Sequence, residues 1–179
     1  MKRGASRLGG WFTARGLKAR LRLLKGKAVR EAMPPERVAA GWGIGMFVGC
    51  TVPFGLQLMV SVPLAIVTKT SKIGATAATF VTNPFTIFFI YPAQCWAGSR
   101  LIGAPLGWSY LSGEVLDKLR QASVFSKEGL DVILELGGRV MGGFFAGGLL
   151  LAALLTPPTY FAVLRAVKAA RARKEGAKR

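Results

Sequence analysis

The residues of this chain that could do chemistry within its apolar segments are uncharged and polar. They lie close to two prolines, Pro53 and Pro84, that interrupt long uncharged runs. Hydroxyl and amide side chains at such places can bind a neutral or headgroup-type ligand, or they can satisfy backbone groups that a proline frees. The sequence leaves both interpretations open. The candidate polar pocket consists of Thr51, Gln57, Thr82, Asn83 and Thr86.

Acid–base and metal chemistry lack their usual residues. The chain has no histidine, and its eight acidic residues all lie outside the uncharged runs. General acid–base catalysis and transition-metal binding normally use such groups within the site. We therefore expect no catalytic residue, no metal ligand, no cofactor and no enzymatic activity. Cys50 and Cys95 are expected to be buried thiols rather than a disulfide.

The charge pattern indicates a membrane protein with basic ends. Runs without Asp, Glu, Lys or Arg cover Val38–Thr68, Ile73–Ser99 and Val140–Leu164. Uncharged apolar stretches of about 18 residues or more are typical of membrane spans. The net charge of +17 is concentrated at the ends, with eleven Lys and Arg in residues 1–37 and seven in residues 165–179. A nucleic-acid-binding protein would spread such cations over a folded surface, so we expect no nucleic-acid partner.

The first uncharged run is too long for a core helix and is broken in its middle. A straight helix over Val38–Thr68 would be about 46 Å long, whereas a hydrocarbon core is roughly 30 Å thick. Pro53 and Gly55, the predicted helix break, divide the run into two arms that are too short to cross. Lys69 then places the exit on the side of the basic N-terminus. We predict a re-entrant helical hairpin over 38–68, with its tip covered by other helices or lining a wet pocket.

The remaining segments complete an all-α integral membrane protein. We predict a span over 73–99 that is broken at Pro84, an amphipathic segment over 101–138, and a glycine-rich span over 139–164 that Pro157-Pro158 should kink or end. The alternative makes 73–99 a second re-entrant hairpin. The bias of Lys and Arg favours the first scheme, a multi-pass protein of the inner membrane with both termini in the cytoplasm.

Three segments follow from the distribution of charge. Residues 1–33 form a basic N-terminal segment, 34–164 a membrane domain and 165–179 a basic cytoplasmic tail. Apolar residues recur at helical spacing over 11–30, so this stretch can be an amphipathic helix that holds its cations against anionic lipid headgroups. A partly ordered basic tail is the other interpretation. The lipid bilayer is therefore the first expected partner.

Glycines spaced four residues apart allow a second helix to approach closely. We predict that the glycine faces of the first and last uncharged runs pack on one another, within one chain or in a homo-oligomer. Leucine at Gly45 should disturb assembly far more than a substitution at Val48. The predicted packing glycines are Gly41, Gly45, Gly49, Gly138, Gly142, Gly143 and Gly147.

An ordered set of these residues resembles a bacterial membrane family. The pattern P-x-x-x-A-x-G-x-x-x-G-x-F-x-G-x-x-x-P-x-G-x-Q begins at Pro35, and T-N-P-x-T begins at Thr82. Both are similar to domain-of-unknown-function family 2062, over about residues 34–163. Members commonly carry an arginine–asparagine pair where this chain has TKTSK at 68–72, so that corner departs from the pattern. Relatives sometimes occur fused to, or encoded beside, glycosyltransferases, which implies an envelope or lipid-linked-sugar setting.

Two classes of function follow. One is a transporter-like protein, or a protein that handles lipids or lipid-linked sugars, with Gln57 and Asn83 in a polar site between the breaks. The other is a non-catalytic membrane scaffold that holds an envelope enzyme such as a glycosyltransferase. A polar cavity that reaches both breaks would favour the first class. Breaks sealed by packing, with apolar grooves outside them, would favour the second.

Overall fold

The structure of the chain is a computed structural model, which describes residues 32–83, 85–115 and 137–176. Over these residues the chain is helical and contains no strand. The predicted amphipathic helix at 11–30 lies outside the described residues, as does most of the predicted amphipathic segment at 101–138.

Six α-helices are present in the described ranges. They are α1 (Pro35–Thr51), α2 (Gln57–Val67), α3 (Lys72–Thr79), α4 (Ile87–Leu101), α5 (Trp108–Tyr110, continued by a π-helical turn at Leu111–Val115) and α6 (Gly137–Gly176). Local chemistry accounts for several of their ends. Pro35 opens α1 because its fixed φ suits the first helical turn. The Ser71 hydroxyl caps α3 by accepting the N–H of Gly74 at 2.8 Å.

Two breaks divide the first two uncharged runs, and they lie at the predicted positions. The first break, residues 52–56, follows α1 where Val52 takes an extended backbone. Gly55 within it has φ +99°, a conformation that glycine adopts readily and that a Cβ disfavours. The second break, residues 80–86, separates α3 from α4. Each of these two runs therefore forms two short helices rather than one long one.

α1, α2 and α3 pack together, and each is antiparallel to the helix before it in the chain. The N–H of Ser71 donates to the carbonyl oxygen of Arg37 at 3.2 Å, so the turn after α2 returns to the start of α1. From there α3 runs parallel to α1, since Gly41 lies against Ser71 and Gly49 lies against Thr79. The direction of the chain therefore reverses at the first break and again at the turn before α3.

α6 runs antiparallel to α1 and to α4 and holds them end to end. Val38 of α1 packs on Val167 near the C-terminal end of α6. Tyr91 of α4 packs edge-on against Phe144, with ring centroids 5.0 Å apart, near the other end of α6. The C-terminal half of α6 thus covers α1, and its N-terminal half covers α4.

The last helix does not end at Pro157-Pro158, which was one of the two outcomes expected for that proline pair. α6 continues through both prolines for 40 residues, or about 60 Å. Each proline removes one backbone donor, but contacts on both sides hold the helix together, including the packing of Val163 and Val167 around Val38. Among the described residues, α6 is the one helix long and apolar enough to cross a membrane, with a mean hydropathy of 1.8 in its most apolar window.

Within the chain, Gly45 of the first run packs on α3 and Gly147 of the last run packs on α4, so these two faces do not meet there, and their packing between chains stays a prediction. A Cβ at Gly45 would overlap the carbonyl oxygen of Ala75 in α3, and a Cβ at Gly147 would overlap the carbonyl oxygen of Gln94 in α4. Val48 is itself buried, so it is not a neutral position for comparison. Gly138 is a better one, because a Cβ there would meet nothing within 4 Å.

Candidate functional site

Gln57 closes the first break from within the hairpin. Its Nε2 donates to the carbonyl oxygens of Gly49 and Val52 at 3.1 and 2.9 Å, and lies 2.6 Å from the Thr82 hydroxyl. That hydroxyl also donates to the carbonyl oxygen of Gly49 at 3.0 Å. Gln57 is only 3% exposed. Side chains from α2 and from the second break therefore meet at the C-terminal end of α1.

Helix α4 closes the same break from the opposite direction. The Tyr91 hydroxyl accepts the N–H of Phe54 at 2.6 Å. Gln94 Nε2 donates to the carbonyl oxygens of Cys50 at 3.0 Å and Phe144 at 2.8 Å, and so joins α1, α4 and α6. Its Oε1 is buried and has no hydrogen-bond partner among the described residues.

These contacts have a simple physical cause. The last carbonyls of a helix lack intrahelical donors, and a buried carbonyl without a partner is costly. α1 ends inside the molecule, so its terminal carbonyls depend on side chains from other elements. The amides of Gln57 and Gln94 supply those donors. The backbone carbonyls at the first break are consequently satisfied by side chains of the chain itself.

The second break is organised by its own residues. Asn83 Oδ1 accepts the N–H groups of Phe85 and Thr86 at 2.9 and 3.1 Å, as asparagine does in turns that precede helices. The Thr86 hydroxyl donates back to the carbonyl oxygen of Val81 at 2.9 Å. Asn83 and Thr86 are both partly exposed. This local network sets the start of α4.

The predicted pocket residues thus fall into three contact groups. Gln57 and Thr82 touch each other, whereas Asn83 and Thr86 bond mainly to one another and to their own turn. Thr51 donates to the carbonyl oxygen of Phe47 one turn earlier in α1, at 2.9 Å. Each member therefore bonds to at least one backbone group.

Sequence reasoning left Tyr91 and Gln94 out of this pocket. Both are buried and both bond across the first break. Their spacing was the available signal, because residues three apart share one face of a helix. A tyrosine and a glutamine on one face of an uncharged run indicate backbone groups that need partners.

One opening in the described part of the chain lies away from the breaks. It is an apolar groove of about 460 Å³ between α1, α2 and α6. Its position was not predicted from the sequence, since its walls come from three separate helices. The lining residues are Ala40, Gly43, Ile44, Phe47, Leu64, Thr156, Pro157, Tyr160 and Phe161.

Charged groups gather where α1 begins and α6 approaches its end. Lys168 Nζ lies 2.7 Å from Glu36 Oε1, and Arg171 donates to the carbonyl oxygen of Met33 at 2.9 Å. The hydrogen bond from Lys168 lowers the pKa of the Glu36 carboxyl.

At the opposite end of the described helices, Arg100 lies over the Trp96 ring, 3.7 Å from its centroid. In the part of the chain that the structure describes, no three His, Cys, Asp or Glu side chains could hold a metal ion.

Comparison with known proteins identifies one family. Its model, described as "Uncharacterized protein conserved in bacteria (DUF2062)", matches residues 18–176. The match extends beyond the motifs at 34–163 on both sides and reaches the end of α6. No curated protein and no solved structure matches the chain.

Proposed function

The chain belongs to the DUF2062 family, and from that premise we propose that it is a small multi-span protein of the inner membrane that acts as a non-catalytic scaffold for an envelope enzyme such as a glycosyltransferase. The proposal has two parts. One is that the helices described above lie in a bilayer. The other is that the chain holds a partner rather than a polar substrate.

The distribution of side chains supports the first part. Val67 and Phe89 are 78% and 76% exposed, whereas Ser61, Thr82 and Ser99 are fully buried. Water-soluble domains place most large apolar side chains inside and polar ones outside. Broad exposed apolar surface is expected where the solvent is lipid. Such an arrangement favours a chain whose outer surface contacts acyl chains.

The lengths and directions of the helices support a re-entrant hairpin. α1 and α2 contain 17 and 11 residues, or about 25 and 16 Å, which is shorter than a hydrocarbon core of roughly 30 Å. They meet at the first break, which α4 and α6 cover, as non-helical backbone at membrane depth requires. α3 and α4 then carry the chain across, and α6 carries it back. Lys69, Lys72 and the basic end of α6 lie on one side, in agreement with a cytoplasmic assignment.

The hydrogen bonding of the polar side chains at both breaks to the protein backbone is the observation that carries the second part. Gln57 and Gln94 bond to carbonyls at the end of α1, and Asn83 bonds within its own turn. A transporter with a site at two broken helices needs those polar atoms for its substrate. Here Gln57 Nε2, Gln94 Nε2 and Asn83 Oδ1 are bonded to the backbone, whereas Gln94 Oε1 has no hydrogen-bond partner among the described residues. The open groove is apolar. This combination favours a scaffold.

The continuous α6 offers a place for the partner. Beyond its apolar part it carries the cations Arg165, Lys168, Arg171 and Arg173 on the same helix. The contact of Val167 with the start of α1 holds this basic arm, residues 165–176, in a fixed direction. A rigid cationic helix suits a partner with an acidic surface. The choice of a glycosyltransferase rests on the family resemblance alone.

Cysteine labelling in intact cells tests the membrane arrangement. The native thiols at Cys50 and Cys95 are buried, so their background reaction should be low. In the Ser109→Cys variant an impermeant maleimide should react from the periplasm. In the Lys72→Cys variant it should react only after the inner membrane is opened. Periplasmic labelling of both variants, or recovery of the chain in the soluble fraction, would contradict the proposed topology.

Site-specific photo-cross-linking tests the scaffold. A photo-reactive amino acid in place of Arg173 should cross-link a tagged glycosyltransferase of the same cell envelope. The matched control replaces Leu154, which is 62% exposed on the apolar part of the same helix. That position should give no protein adduct. Equal adducts at both positions, or none from the arm, would count against the partner.

A further inference from the structure

The apolar groove ends at a group of cations. Arg165 follows Phe161 by one helical turn on the same face of α6, about 6 Å farther along the axis. Arg37 precedes Ala40 by one turn of α1, and α1 is antiparallel to α6, so both arginines lie beyond the same end of the groove. Lys69 follows the α2 wall at that end. All three side chains are exposed.

The acidic group at this end does not cancel those charges. Glu36 is held by Lys168 across α1 and α6, at 2.7 Å. Arg37, Lys69 and Arg165 therefore face the headgroup layer with their positive charges available. The groove itself is about 460 Å³, within the range of about 300–1,000 Å³ that is usual for ligand sites. A ligand that fits both features has an apolar chain and an anionic end.

The cations also decide between a lipid and a partner helix. A transmembrane helix of another inner-membrane protein usually carries its own Lys and Arg at the cytoplasmic end. Placed in this groove, it would set like charges against Arg37 and Arg165. An anionic phospholipid brings a phosphate to the same level, and each cation near the surface favours such a lipid. Charge complementarity therefore selects the lipid.

We infer that this groove binds one acyl chain of an anionic phospholipid from the cytoplasmic leaflet, with the lipid phosphate against Arg37, Arg165 and Lys69. The inference rests on the membrane embedding proposed above, because it places the groove in the cytoplasmic half of the bilayer. Of the basic arm it uses only the first residue, Arg165, whereas the partner test places its probe at Arg173, eight residues farther along α6. Lipid binding and partner binding are therefore tested at different positions.

Gly43 provides a way to fill the groove without disturbing the helices. A Cβ there would lie 3.6 Å from Thr156 Cγ2, an ordinary contact. The Gly43→Leu variant should fold and occupy the groove with its own side chain. Leu64→Trp fills the groove from the α2 wall and serves as a second variant. Circular dichroism and a monodisperse detergent complex establish that each variant is folded.

Native mass spectrometry of the full chain in detergent measures the binding. The probes are dioleoyl phosphatidylglycerol and dioleoyl phosphatidylcholine, which share their acyl chains and differ in charge. The wild type should retain one phosphatidylglycerol about tenfold better than phosphatidylcholine. Folded Gly43→Leu or Leu64→Trp protein should lose this retention. The Arg37→Gln/Arg165→Gln double variant should bind both lipids alike, and the control Arg139→Gln, at the other end of α6, should match the wild type.

Several results would overturn the inference. They are equal retention of both lipids by the wild type, unchanged retention in the folded groove-filled variants, and an equal loss in Arg139→Gln. A dimer that Gly43→Leu abolishes would assign the groove to a second copy of the chain and would also overturn it. If cysteine labelling gives the expected topology while no lipid is retained, this inference alone fails. A chain that is soluble without detergent removes the membrane proposal as well.

Discussion

The two helix breaks solve the same problem in different ways. At the first break, groups near Pro53 are satisfied from far along the chain, by Thr82, Tyr91 and Gln94. At the second break, Asn83 and Thr86 satisfy groups within five residues of themselves. The first network is buried, and the second is partly exposed. A buried hydrogen-bond network at a break thus needs the tertiary structure, whereas a partly exposed network is stabilised locally.

This difference defines what each break contributes. The first is a junction where α1, α2, α4 and α6 meet, so its hydrogen bonds couple distant parts of the chain. The second is a turn that starts one helix. Substitutions at the first should therefore affect the whole fold, and substitutions at the second should affect mainly α4.

The largest effect is expected from separating α1 from α3. In Gly45→Leu the new side chain meets the Ala75 backbone, which cannot move unless the two helices part. Thr82 would then be withdrawn from Gly49, and the first break would lose its seal. We expect the free energy of unfolding to fall by at least about 3 kcal/mol. Unfolding in mixed micelles, followed by circular dichroism, measures it.

Gly138→Leu is the matched control for that variant. It introduces the same side chain at a glycine of α6 that has open space around it. Its unfolding should resemble that of the wild type. Equal destabilisation by the two leucines would mean that close approach of α1 and α3 does not hold the first break together.

The next effect is expected from removing the Gln57 amide. Gln57→Leu keeps an apolar side chain of similar size but leaves the carbonyl of Val52 and part of the Gly49 network without a donor. A buried polar group left unsatisfied costs about 1–3 kcal/mol, so we expect a loss of about 2 kcal/mol. Thr68→Val removes only local hydrogen bonds of an exposed side chain, to the Leu64 carbonyl oxygen and to the Thr70 hydroxyl, and should change little.

A double-mutant cycle sharpens this prediction. Gln57→Leu and Thr82→Val remove two members of one buried network, so their effects should be non-additive by about 1 kcal/mol. Gln57→Leu combined with Thr86→Val should show a smaller coupling, because Thr86 bonds to Val81 and Asn83 rather than to Gln57. Equal couplings in the two cycles would contradict the separation of the breaks.

A smaller effect is expected at the second break. Asn83→Ala removes the acceptor of two N–H groups before α4, a change comparable to the loss of a helix cap, at about 1 kcal/mol. Asn83→Ser keeps an acceptor oxygen without adding a charge and should recover part of the stability in the same unfolding assay. A loss as large as that of Gln57→Leu would remove the distinction between the two breaks.

The positions of the breaks were predictable because their causes are local. Proline removes a donor and disfavours helix before it, glycine permits a positive φ at residue 55, and asparagine stabilises a turn. The partners of the first break were not predictable in the same way. Tyr91 and Gln94 reach it only because α6 places α4 beyond the end of α1, and no pattern within α4 specifies that arrangement.

Two other sequence patterns left alternatives open for the same physical reason. The proline pair at 157–158 indicates a kink or a helix end by local rules, and packing against α1 keeps α6 helical on both sides of it. The glycine spacing of α1 indicates that another helix approaches closely, but it does not specify which helix. α3 offers an equally small surface through Ala75 and Thr79, and it is adjacent in the chain. Tertiary contacts decided each case, and the sequence pattern carried only the local tendency.

The smallest effect is expected from the ion pair between Glu36 and Lys168, whose partners are farther apart in sequence than those of any contact at the first break. Glu36 and Lys168 are joined across α1 and α6, yet both side chains are about half exposed. The hydrogen bond from Lys168 lowers the Glu36 pKa, so the pair contributes above the unfolded pKa of the carboxyl and is lost as the pH falls through the folded one. Glu36→Gln should leave unfolding near pH 7 almost unchanged and should remove only a small acid-side dependence, seen by comparing melts across that interval. If this exposed pair mattered as much as Gln57, separation in sequence rather than burial would explain the strength of the first break.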